Sequence, residues 1–257
     1  HHCAVPVLQT HLAQPDSGPG EWRGITFDGG TGTLRHTIVR YAGRSCYGCP
    51  GTTSAAIAAV GVQSGQVVIE DSQVRDSAYY SNNDCGLYMV DSHAVVSNTL
   101  FSGIGDDANQ GEFPIYIGGP TSEVSLSGLR LENNIYNQVA LTYDAMTGHD
   151  FTLSAQPEMD GYRLLRGTYG EQFVVPQGVT MTVDPGVMVQ VGGINDVSAS
   201  LVVRGHLEAA GTEAEPILFT GHTGNTWGRI LFDDPSGDAQ ATPKGASSIW
   251  RNCSIDF

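Results

Sequence analysis

The chain has 257 residues, 33 of them glycine and 12 proline, and its 27 acidic side chains against 12 basic ones give a formal charge of −15. Such a balance lacks the basic surface that a phosphate-walled partner needs, so nucleic acid is excluded as a partner. No apolar run reaches the roughly 18 residues needed to span a bilayer, and turn-formers at about one residue in six argue against a coiled coil.

In chain order the sequence reads as short strands divided by turns. Apolar runs centred on Ile25, Ile57, Leu87, Ile115 and Val139 follow one another at 32, 30, 28 and 24 residues. Each is followed by a second run and then by a cluster of Gly, Asn or Asp. The second runs align as Thr37-Ile38-Val39, Ser72-Gln73-Val74, Asn98-Thr99-Leu100, Leu129-Arg130-Leu131 and Cys253-Ser254-Ile255. Because strand side chains alternate with period 2, inward Val39, Val74, Leu100, Leu131 and Ile255 place Thr37, Ser72, Asn98, Leu129 and Cys253 inward as well. No segment longer than about eleven residues carries a capped 3.6-residue periodicity, which removes the crossover helices that a βαβ fold requires. Asn-Gly and Asp-Gly pairs are scarce, which weakens a hairpin-built sandwich, and the period is shorter than a propeller blade.

A longer recurrence joins the two ends. Pro6-Val7-Leu8-Gln9-Thr10 returns as Pro216-Ile217-Leu218-Phe219-Thr220, Trp22-Arg23-Gly24-Ile25-Thr26-Phe27 as Trp227-Gly228-Arg229-Ile230-Leu231-Phe232, and Arg35 to Tyr41 as Arg251 to Phe257. The expectation is one continuous unit over residues 1–257, cut from a longer repetitive protein.

The stretch Gly178-Val179-Thr180-Met181-Thr182-Val183-Asp184-Pro185-Gly186-Val187, continued by Leu201 to Thr212, Pro216 to Thr220 and Trp227 to Phe232, resembles the right-handed parallel β-helix proteins of the pectate-lyase-like superfamily, especially extracellular bacterial members. The resemblance implies an all-β, single-stranded right-handed solenoid of roughly eight coils. Each Gly or Pro-Gly then marks a coil corner and each alternating run one face. Without a capping helix at either end, flanking coils or a second copy stacked head to tail would cover the open ends.

In such a solenoid the loops after equivalent strands pile into one ridge. It gathers Asp84, Asp106, Asp107 and Glu112 with Tyr47, Tyr79, Tyr80 and Tyr136. Carboxylates beside aromatic rings suit glycoside chemistry: one carboxyl protonates a leaving oxygen, another activates water or attacks, and rings stack on sugar faces. Asp84, Asp106 and Asp107 are the candidate catalytic residues; the tyrosines and Glu112 are the candidate carbohydrate contacts. Gly105-Asp106-Asp107 resembles the paired-Asp element of polygalacturonases, but the companion motifs of that family are absent. A lyase would want a basic side chain near calcium-binding acids, and Arg75 is the nearest candidate. Asp, Asn, Gly and Tyr are equally ordinary loop residues.

No cofactor is required. Calcium is the cation that Asp233, Asp234 and Asp238, or Asp84 with Asp106 and Asp107, would take through oxygen ligands. Five cysteines are too few for a disulfide scaffold. Cys46-Tyr47-Gly48-Cys49 lies in a loop, Cys49 and Cys85 fall in loops one coil apart where a disulfide would staple adjacent coils, and Cys253 reads as a buried thiol.

The leading expectation is a non-enzymatic structural or adhesive segment of an extracellular surface or filament protein, with a polysaccharide or cell-surface component as partner. Two others stand beside it: a polysaccharide lyase or hydrolase working on the ridge, and a carbohydrate-binding module using the same tyrosines without turnover.

Overall fold

A computed structural model describes residues 18, 20–43, 55–77, 85–105, 112–167, 170–193, 199–221, 227–233 and 247–255. Those residues form a parallel β-solenoid, all strand and turn with no helix. In the first half each coil contributes three strands. They are β1 (Ile25–Asp28), β2 (Gly32–Arg35) and β3 (Ile38–Arg40); β4 (Ala55–Val60), β5 (Val67–Glu70) and β6 (Gln73–Ser77); β7 (Cys85–Val90), β8 (His93–Ser97) and β9 (Leu100–Ile104); and β10 (Phe113–Gly118), β11 (Glu123–Ser127) and β12 (Arg130–Glu132). After β13 (Gln138–Leu141) and β14 (Phe151–Leu153) come β15 (Gly161–Leu164), β16 (Phe173–Val175) and β17 (Thr180–Val183). The remainder are β18 (Met188–Val191), β19 (Leu201–Val203), β20 (His206–Ala210), β21 (Ile217–Gly221), β22 (Ile230–Phe232), β23 (Ser247–Arg251) and β24 (Cys253–Ile255).

One long sheet of nine strands, β1-β4-β7-β10-β13-β15-β18-β21-β24, runs the whole length. The second sheet (β2, β5, β8, β11) and third sheet (β3, β6, β9, β12) complete the wall of the first half, and a fourth (β14, β17, β20, β23) and fifth (β16, β19, β22) that of the second. Every pairing between described strands is parallel, as stacked coils demand.

The core is a set of side-chain columns. Ile25, Ile57, Leu87, Ile115 and Val139 stand in direct register, the order their sequence spacing predicts, and Tyr162, Val189 and Phe219 extend the column. From Ile57 to Phe219 these residues are essentially unexposed. Successive coils thus remove apolar surface from water, worth roughly 1.5–3 kcal/mol for each large side chain.

Corners are set by residues in left-handed backbone conformation. His36, Asp71, Asn98 and Gly128 (φ 49°, 48°, 46° and 60°) occupy one corner, and Tyr41, Asp76, Gly103 and Asn133 (59°, 46°, 64° and 55°) the next. Asx and Gly dominate because their short or absent side chains tolerate positive φ. Hydroxyl and amide side chains then tie each corner to its neighbour. Ser92 Oγ accepts from Val62 N at 3.1 Å while Ser122 Oγ accepts from Ser92 N at 3.3 Å; Ser72 Oγ accepts from Thr37 N at 3.1 Å and Asn134 Oδ1 from Ile104 N at 3.0 Å.

Three registers differ from expectation. Phe101, not Leu100, stacks between Val74 and Leu131, because Asn98 is the left-handed corner residue and is exposed, which shifts the inward positions to Thr99 and Phe101. Cys253 lies in the long sheet over Ile217 instead of the third sheet; it is half-buried, with its thiol donating to the Ala209 carbonyl at 3.2 Å. Finally, the recurrent motifs sit on different faces: Ile25 belongs to the long sheet but Ile230 to the fifth. Recurrence records strand and turn spacing, whereas the face is decided by the wall switch at β13–β14.

Candidate functional site

Most of the expected ridge lies outside the described residues: Tyr47, Tyr79, Tyr80, Asp84, Asp106 and Asp107, together with Cys49 and the calcium candidates Asp234 and Asp238. Glu112 and Tyr136 are described. Glu112 is only 1% exposed and packs against Gly105, so it is no surface contact for a sugar. Asp233 engages Arg204, Oδ2 to Nε at 3.0 Å, and no group of three His, Cys, Asp or Glu suited to a cation gathers among the described residues. Cys85 is buried and opens β7 instead of lying in a loop; its register neighbours are Ala55 and Phe113. Arg75 faces outward on the third sheet, stacked on Arg40, whose guanidinium lies 3.7 Å from Asp76.

What the described residues do assemble is the outer face of the long sheet. Alternation that sends Ile57, Leu87, Ile115, Val139, Tyr162 and Val189 inward sends Ala58, Tyr88, Tyr116, Ala140, Arg163 and Gln190 outward, again in one register. The rings of Tyr88 and Tyr116 stack with centroids 5.7 Å apart and planes at 26°. Two strands further on, Arg163 lies over the ring of Tyr136 (4.8 Å to the centroid) and near that of Phe113 (5.4 Å), which themselves stack at 5.2 Å. Cation–π attraction of this kind strengthens when water is excluded. Arg163 Nη2 donates to Gln190 Oε1 at 2.5 Å, and Gln138 Nε2 donates to the same oxygen at 2.8 Å. Gln190 Nε2 in turn donates to the Gly221 carbonyl at 3.2 Å, carrying the network across four strands.

Burial governs the electrostatics. Desolvation pulls the Arg163 guanidinium down to about 10, with the Tyr136 phenol opposing the shift. The group is charged at neutral pH and donates to Gln190. Tyr116 and Tyr88 are pushed up, first by burial and then by neighbouring groups including Asp144. The arrangement can hold and orient a polar group.

Of this cluster the sequence singles out only Tyr136, as a sugar contact, and passes over Arg163, Gln138 and Gln190. The signal was present in Gly161-Tyr162-Arg163-Leu164, whose alternation puts Arg163 outward once Tyr162 is inward. Nothing in that pattern says that this outward face is itself buried. Comparison with family models, with curated proteins and with solved structures gave no match.

Proposed function

We propose that the chain is a structural or adhesive, non-enzymatic segment of an extracellular surface or filament protein, built as a β-helix of the pectate-lyase-like kind. The observation that carries this reading is the ladder of side-chain bonds at successive corners, in which Val62 N, Ser92 and Ser122 tie three coils and Thr37 N, Ser72 and the Leu34 carbonyl tie two. Each bond adds to the backbone pairing between coils, so bending or fraying the wall breaks several bonds at once. A stiff, protease-resistant rod is the mechanical consequence. Limited trypsin digestion tests it: Arg75, Arg130 and Arg163 lie in strands and stay uncut while the chain is native. Native-state cleavage at these sites as fast as in urea would overturn the rod.

A second reading, a carbohydrate-binding face, is favoured by the stacked, outward Tyr88–Tyr116 pair. Ring edges and phenol hydroxyls repeated along a sheet suit successive sugars of an extended chain. Incubation with acidic and neutral polysaccharides separates the readings. Retention without products supports binding; unsaturated ends or new reducing ends that vanish in Asp106→Asn or Asp107→Asn would establish an enzyme instead.

A further inference from the structure

Among the described residues the wall is interrupted between the second and fourth sheets. β11 is the last strand of the second sheet and β14 the first of the fourth; they succeed each other along the rod yet do not pair. Two side chains bridge them instead. His149 Nε2 lies 2.9 Å from the Ser122 carbonyl oxygen at one end; at the other, Gln156 Nε2 donates to the Leu126 carbonyl at 3.0 Å and Gln156 Oε1 accepts from Leu129 N at 3.2 Å. Over this gap, and reaching across β11 onto β8, lies an open cleft of about 800 Å³ with Val124, Leu126 and Phe151 among its apolar lining and Glu123, Asp150, His93 and His149 among its polar lining.

The backbone facing this cleft follows from parallel-strand geometry, in which alternate residues turn both N–H and C=O to the same neighbour. Glu123 N donates to the Ser92 carbonyl at 3.0 Å, so Glu123 and Ser125 serve β8, while Val124 and Leu126 present their peptide groups to the cleft. Leu126 agrees, its carbonyl being the one that Gln156 reaches. Opposite, the Leu153 carbonyl accepts from Asp184 N at 3.1 Å, so Phe151 and Leu153 serve β17 and Thr152 faces the cleft. Two strand edges therefore confront each other with matched backbone groups. The apolar side chains tell the same story: Val124 and Leu126 remain partly exposed, whereas Ala94 and Val96 beneath them are buried.

We propose that this cleft is a docking site for a short extended peptide of a partner protein, which adds as a parallel strand between β11 and β14. Its backbone completes the peptide groups of Val124 and Thr152 and meets the N–H of Leu126, whose carbonyl already accepts from Gln156. Alternate side chains are apolar and enter the wall beside Val124, Leu126 and Phe151. The intervening ones are basic, because Glu123 and Asp150 line the cleft of a chain whose charge is −15. The four residues from Glu123 to Leu126 span about 13 Å, which limits the inserted stretch to roughly four or five residues.

Titration calorimetry of the full chain with acetyl-Lys-Val-Lys-Val-Lys-amide tests the proposal. The same peptide with Glu in place of Lys is expected to bind at least tenfold more weakly, as is the Lys peptide N-methylated at its central residue. Val124→Pro, which removes an N–H pointing into the cleft, is expected to abolish binding with the far-ultraviolet spectrum retained. Should that variant fail to fold, Glu123→Gln with a tenfold loss serves the same purpose. Binding indifferent to N-methylation, as mere charge attraction would give, overturns the proposal, and so does no binding at millimolar peptide. Dimerisation of the chain that Val124→Pro disrupts would assign the cleft to a second copy and overturn it equally.

Discussion

Gln190 Oε1 accepts from Arg163 Nη2 at 2.5 Å across the neighbouring strands β18 and β15. The same oxygen also accepts from Gln138 Nε2, so one carbonyl serves two buried donors. Gln190→Leu strips both donors of that acceptor and is expected to cost about 2–3 kcal/mol, read from urea unfolding. Gln138→Leu removes a side chain whose own Oε1 is buried with no partner, and is expected to stay within about 1 kcal/mol of the parent. Equal losses for the two variants would contradict the shared-acceptor role of Gln190.

The corner ladder makes a second, local prediction. Ser92→Ala leaves the Val62 N–H without its acceptor and is expected to lower stability by about 1–3 kcal/mol. Ser125→Ala, at an exposed position on the neighbouring coil, is expected to fall within about 0.5 kcal/mol of the parent. Amide hydrogen exchange at Val62 should accelerate selectively in the first variant.

Left-handed corners respond to substitution by backbone preference more than by lost contacts. Asn98, at φ 46°, donates from Nδ2 to Asp71 Oδ1 at 3.3 Å in an exposed setting, a bond of small net value. Asn98→Gly is expected to leave the melting temperature nearly unchanged, while Asn98→Val, whose branched side chain opposes positive φ, is expected to cost about 1–2 kcal/mol.

Alkaline pH is expected to unfold the rod. Burial raises Tyr162 to about 12, its hydrogen bonds to Ser154 acting the other way, and Tyr116 and Tyr88 are raised as well. A phenol with a raised folded pKa contributes stability that is whole below pH 10 and lost as pH climbs through the folded value, for Tyr162 roughly 2–3 kcal/mol between pH 10 and 12. Arg163, lowered to about 10, has the opposite sign, since its desolvation cost is relieved above that pH. Three phenols outweigh one guanidinium, so the melting temperature should fall above about pH 10, with absorbance at 295 nm rising together with loss of structure. Tyr162→Phe, which gives up the 2.9 Å bond to the Ser154 carbonyl, should be about 1 kcal/mol less stable at pH 7 but fall less steeply with alkali.

Legibility differed between strand centres and strand ends. The Ile25–Ile57–Leu87–Ile115–Val139 column could be read directly, because inward apolar residues at a near-constant interval leave the chain few ways to bury them except by stacking. Leu100 was placed one residue out because alternation fixes parity within a strand but not across a corner, where a single left-handed Asn98 resets it. Of the candidate ridge, Glu112 was read as an accessible carboxylate, yet its side chain packs into the space that the missing Cβ of Gly105 leaves open.

The sequence by itself determined a parallel, helix-free stack and most of its inward columns, since period-2 alternation and regular Gly, Asn and Asp punctuation act over a few residues at a time. Only the tertiary structure decided which faces those strands occupy, that Ile25 and Ile230 lie in different sheets, that Arg163 is buried among Tyr136, Phe113 and Gln190, and that the wall opens between β11 and β14. The reason is physical: alternation says which way a side chain points from its own strand, whereas burial and edge pairing depend on what the other coils bring to the far side.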